Sequence, residues 1–146
     1  MKHEENSSII DRYLEQPCWI IDVFPKQVPL AHGDQYFKVE KYYLSHPQID
    51  DMCRKFAKVL IRLSCYYEII IVLITEEEID NPNPETIEHL MSEREPVFVI
   101  LKSADAMISV SGEDTYLALY NPDAELLDLV RDLATSEGLF VWKQRS

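Results

Sequence analysis

The chain has 146 residues, 47% apolar and 27% charged, with three glycines and eight prolines, which suits one globular domain over 1–146 and excludes disordered, low-complexity and repeat architectures. The formal net charge is −12, and residues 74–146 carry almost all of it: five Lys/Arg against sixteen Asp/Glu, compared with nine against ten in residues 1–73. Such a chain lacks the basic stripe that phosphate binding requires, so neither nucleic acid nor an anionic membrane surface is an expected partner.

The opening segment, MKHEENSSIIDRYLEQP, has no apolar core or small-residue cleavage site of the signal-peptide kind. The longest apolar run, 69–74, falls far short of the roughly 20 residues that cross a bilayer. A cytoplasmic location is the resulting expectation. Ser7 or Ser8 suits a helix N-cap, Ile9, Ile10, Tyr13 and Leu14 share a face, and Pro17 stops that helix. CWIIDVF, 18–24, is an apolar, β-branched strand, and PKQVPLAHGD is a loop. QYFKVEKYYL, 35–44, alternates as an edge strand does, with Tyr36, Lys38, Glu40 and Tyr42 on one side.

Ser45 and Gln48 match a capping box, with Pro47 in the first turn, ahead of a helix whose stripe is Ile49, Met52, Cys53, Phe56, Val59, Leu60 and Leu63. Arg54, Lys58 and Arg62 form a basic row largely opposite, solvated or paired with acids of the same chain. EIIIVLI, 68–74, has no polar alternation and reads as a central strand covered on both faces. The next stretch, 75–96, has eight acids among its 22 residues and one base, Arg94. Part of that acidity is structural: Asn83 suits an N-cap, Pro84 the first helical position, and Glu85 the positive end of the helix dipole.

PVFVILK, AMISVS and TYLALYN, joined by tight polar turns, predict an antiparallel meander. Asn121 and Pro122 repeat the Asn-Pro start before a helix with a Leu126, Leu127, Leu129, Val130, Leu133 stripe. Gly138 suits its C-terminal cap, and LFVWK closes the chain as a strand. The expected fold is therefore α+β: a single-domain mixed sheet of about six strands, including the C-terminal meander, with three to four helices packed on it.

No phosphate-loop, dinucleotide, nucleophile-elbow, zinc-protease or EF-hand spacing occurs, and no cofactor is expected. Cys18, Cys53 and Cys65 contain no C-x-x-C pair and read as reduced, mostly buried thiols. Loop residue His32, with Asp34 two positions on, has the chemistry of a general base or of a metal site. Glu85 and His89 supply only two ligands between them. Carboxylates 76–80 follow a strand end, where oxygen-seeking Mg²⁺ or Ca²⁺ binds, but the spacing that would aim them inward is missing.

The favoured function is a non-enzymatic, acidic interaction module of immunity or inhibitor type, which binds a basic protein through its acidic C-terminal half. Glu76, Glu77, Glu78 and Asp80, with Glu125, Asp128 and Asp132 at i, i+3, i+7, are the expected contacts. Five tyrosines, at 36, 42, 43, 66 and 67, suit interfaces as well as cores. Two alternatives stand beside it. One is an enzyme dependent on a metal or ligand, using His32 with Asp34 or the 76–80 carboxylates. The other is a self-associating scaffold, a homo-oligomer paired through the 35–44 edge strand. Acidity that serves solubility alone is the simplest competing explanation.

Overall fold

The computed structural model describes residues 2–144, with side chains from residue 7 onward. The fold is α+β. Seven strands, β1 (Cys18–Asp22), β2 (Ile70–Leu73), β3 (Glu78–Asp80), β4 (Val97–Leu101), β5 (Ala106–Val110), β6 (Tyr116–Tyr120) and β7 (Phe140–Lys143), form one sheet in the order β3-β2-β4-β5-β6-β1-β7. Five α-helices accompany them among the described residues: α1 (Lys2–Leu14), α2 (Gly33–Tyr43), α3 (Gln48–Leu63), α4 (Pro84–Ser92) and α5 (Ala124–Ser136).

The expected meander is present as β4, β5 and β6, paired in register from Val97↔Val110 to Met107↔Tyr120. The expected mixed sheet is not: every neighbouring pair is antiparallel. The unbroken apolarity of 69–74 reports burial on both faces, not strand direction. β2 lies between β3 and β4, second from an edge, and both its faces are covered.

Alternation along the strands divides the sheet into two faces. Ile71, Val99, Ile108, Leu119 and Trp19 lie in one cross-strand row and face α3, α4 and α5. Helix α3 supplies Ile49, Met52, Phe56, Val59, Leu60 and Leu63 to this larger core, as its periodicity predicts, while Cys53 is only half-buried. Each such residue fully withdrawn from water contributes about 1.5–3 kcal/mol. The second face carries Val72, Ile100 and Met107, and Tyr13 of α1 closes over them with Ile9 and Ile10 alongside. Helix α1 begins well before Ser7 and Ser8, so neither serine is its N-cap.

Residues 35–43 belong to α2 and Leu44 is its C-cap, so the segment is not an edge strand. Tyr36, Val39, Glu40 and Tyr43 are half-buried, at i, i+3, i+4, i+7, and Leu44 just past the helix is half-buried as well. Aromatic and charged residues here satisfy both a period of 2 and a period of 3.6, and packing selects the helix. Phe24, just after β1, meets Tyr36 at 5.7 Å and Tyr43 at 6.5 Å between ring centroids. In this fold the segment therefore presents no strand edge of its own. The actual edges, β3 and β7, are three and four residues long and carry Glu78, Asp80 and Lys143, which blunts them against strand addition.

Two expected caps differ. Ser45 does not cap α3; its hydroxyl donates to the Lys41 carbonyl at 2.6 Å, and Pro47 precedes the first turn with no side-chain cap. Asn121 does not cap α5. It sits at φ +60, its side-chain amide donates to the Asp105 carbonyl, and Asp123 accepts from the Leu126 amide at 2.8 Å instead. Asn83 does cap α4, accepting from the Thr86 amide at 2.9 Å, and Gly138 follows α5 at φ +76. No helix among the described residues is long and apolar enough to cross a membrane.

Candidate functional site

The seven acidic residues singled out in the sequence are divided between two surfaces. Glu76, at φ 73, and Glu77 form the β2–β3 turn, closed by bonds between Glu76 N–H and the Leu73 carbonyl and between Leu73 N–H and the Glu77 carbonyl. Glu78 and Asp80 pair with Val72 and Ile70, so their side chains lie on the α1 face while Ile79 packs towards the larger core. Glu125, Asp128 and Asp132 line the exposed side of α5, whose buried residues are Leu126, Val130, Leu133 and Ala134. Helix α5 covers the opposite face of the sheet and packs on β7, six strand spacings, or about 29 Å, from β3.

Among the described residues, no ion pair forms at Glu125, Asp128 or Asp132. The cations nearby are engaged elsewhere. Arg131 lies 5.0 Å from the Trp19 ring centroid, and Arg62 bonds Ser136 at 2.6 Å and Glu137 at 3.3 Å. Arg54 and Lys55 both pair with Asp51, so much of the basic row is neutralised within the chain, as expected. Tyr67 lies near the N-terminus of α5. Tyr66 is exposed, and Tyr67 has its hydroxyl pKa raised by burial and then by Glu125 and Asp123.

The structure does not assemble His32 and Asp34 into a site. Both are exposed, at the end of a 3-10 turn and in the first turn of α2, and no hydrogen bond joins them. His89 is exposed on α4, and His46 bonds Asp50 at 3.2 Å. Among the described residues no three His, Cys, Asp or Glu side chains gather as metal ligands. None of the three free cysteines is fully buried: Cys18 and Cys53 are half-buried and Cys65 is exposed.

A different carboxylate stands out. Asp22, at the end of β1, is 5% exposed, and its Oδ1 has no hydrogen-bond partner; the hydroxyl of fully buried Thr115 has none either. Burial raises the Asp22 pKa to about 6, against a smaller lowering by the Phe24 and Val23 amides and by Trp142. Asp22 and Ile20 form the floor of a cavity of about 210 Å³. Tyr36, Tyr116 and Trp142 wall it, and the exposed Gln27 and Gln144 stand at its rim. Registers Asp22↔Tyr116 and Ile20↔Trp142 hold four of these side chains on adjacent strands of one face. Tyr116 is pushed up to about 12, by burial first and then by Asp114, Tyr36 and Asp22.

Sequence reading passed over this site. The available signal was an acid within CWIID, at the inward position shared with Ile20, in an element where Asp is depleted. What hid it is that Tyr36, Tyr116 and Trp142 come from distant segments. No protein-family model, curated protein or solved structure matches this chain.

Proposed function

We propose that this protein is a non-enzymatic binding domain of immunity or inhibitor type, which docks a basic protein partner on the outer face of α5. The observation that carries the reading is the exposed Glu125, Asp128, Asp132 stripe without an intrachain cation among the described residues. Stability alone favours balanced charge, and charge left unbalanced on one helix face suits electrostatic steering of a partner of opposite sign. Tyr67, beside the start of α5, and the exposed Tyr66 next to it in the chain supply aromatic area of the kind that such interfaces use as anchors. Glu78 and Asp80 lie on the other face of the sheet, with Glu76 and Glu77 in the turn before them, so one compact partner takes one cluster or the other.

The test is to isolate a basic protein that binds at low salt, purify it, and measure association rates against salt. The triple variant Glu125→Gln/Asp128→Asn/Asp132→Asn should slow association roughly 10-fold and flatten the salt dependence. The matching set at 76–78 and 80 should leave both unchanged. Rates unaffected by the α5 variant would discard the reading, as would the failure of any basic protein to bind.

A further inference from the structure

We propose that the Asp22 cavity binds a small organic cation, a primary ammonium or guanidinium group on a short neutral or anionic body. A carboxylate oxygen withdrawn from water with no donor is costly to maintain, and native structures leave few of them. Here it belongs to Asp22, which lines a cavity built from three adjacent strands, a loop and a helix, on the α1 face of the sheet but away from the core that α1 covers. The surrounding groups select the ligand. Asp22 and the carbonyls of Gln27 and Gln144 accept hydrogen bonds, and three aromatic side chains attract cations. No Lys or Arg lines the cavity among the described residues, so Asp22 lacks a counter-ion from its own walls.

Size and coordination narrow the class. At about 210 Å³ the cavity is below the usual range for drug-sized ligands. One carboxylate and two amides fall short of the six or more oxygens that Ca²⁺ takes. Lys26 and Lys143 line an adjoining groove that shares Gln27, Trp142 and Gln144, so a second positive charge on the ligand would be repelled there. The acidic and phenolic groups that face Asp22 are Tyr36 and Tyr116, with Glu40 and Asp114 next beyond them.

The test uses n-butylammonium and methylguanidinium as probes, with n-butanol as the uncharged control, and follows the indole N–H resonances. The Trp142 indole donates to the Phe24 carbonyl at 3.1 Å, beside the cavity, whereas Trp19 lies on the other face of the sheet. Either cation should shift Trp142 saturably and leave Trp19 unmoved, with Kd on the order of 1 mM and binding at least about tenfold tighter than n-butanol. Asp22→Asn should weaken the cation about tenfold. If that variant does not fold, the same titration of the unaltered protein at about pH 4.5, where Asp22 carries a proton, should show the same loss. No saturable shift, equal binding of n-butanol, or affinity indifferent to both Asp22→Asn and acid would overturn the proposal.

Discussion

The Arg94 side chain donates from Nε to the Gly112 carbonyl at 2.7 Å, while the Arg94 carbonyl oxygen fills the space that a Cβ on residue 112 would need. The two residues thus clamp the α4–β4 connection to the β5–β6 loop. Both sit in the left-handed region, Arg94 at φ 56 and Gly112 at φ 81. The loop is closed from within as well, by Ser111 Oγ donating to Asp114 at 2.7 Å. This clamp fixes the start of β6, and with it Thr115 and Tyr116 beside the Asp22 cavity.

Gly112→Ala should therefore destabilise more than Gly138→Ala. Both glycines have positive φ, which costs a side chain on the order of 1 kcal/mol or more. At Gly138 a Cβ meets only the Lys55 ammonium, at 3.9 Å, but at Gly112 it collides with backbone. Chemical denaturation should give about 1 kcal/mol for Gly138→Ala and at least about 2 kcal/mol for Gly112→Ala. Equal losses would show that the clamp relaxes without cost.

Asp22→Asn should stabilise the protein near neutral pH. The folded pKa, about 6, lies above the ordinary 3.8, so the folded state binds the proton more tightly than the unfolded chain. Stability from this group is therefore greatest below about pH 4, falls as the pH rises from there to about 6, and stays lost above. The shift corresponds to a penalty on the order of 3 kcal/mol at pH 7. Removing the charge relieves it while leaving an acceptor for the Val23 and Phe24 amides. Melting temperatures at pH 4 and pH 8 should converge for the variant relative to wild type; an unchanged gap would mean that Asp22 is solvated.

Caps should separate in the same assay. Asp123→Ala and Asn83→Ala each remove an acceptor for a first-turn amide, so each should cost about 1 kcal/mol. Ser45→Ala should cost no more than about 0.5 kcal/mol, because Ser45 caps nothing and its bond to Lys41 is exposed. A loss at Ser45 as large as at Asp123 would restore the capping box read from the sequence.

Tyr13 tests the second, smaller core. It is 3% exposed, and its hydroxyl donates to Asp105 Oδ1 at 3.0 Å. Tyr13→Phe should cost about 1 kcal/mol through the hydrogen bond alone, and Tyr13→Ala about 3–5 kcal/mol through the cavity it leaves. If Tyr13→Ala costs no more than Tyr13→Phe, α1 does not seal this face.

The sequence by itself determined the α+β class, the meander, and the burial stripes of α3 and α5. Those features follow from local periodicity and from residues such as Asn83 and Gly138, whose conformational preferences act within one turn. Tertiary structure decided the rest. Residues 35–44 fit two periods, and packing, including that of Tyr36 and Tyr43 on Phe24, selects the helix. The direction of β2 left no mark on its composition, because burial on both faces selects the same residues in either sense. The acidic groups at 76–80 and 125–132 were separated by sheet register and helix placement, which put them on opposite faces. The Asp22 cavity depends on Tyr36, Tyr116 and Trp142 converging from distant segments, and the isolation of one Asp22 oxygen, Oδ1, is a property of the folded chain.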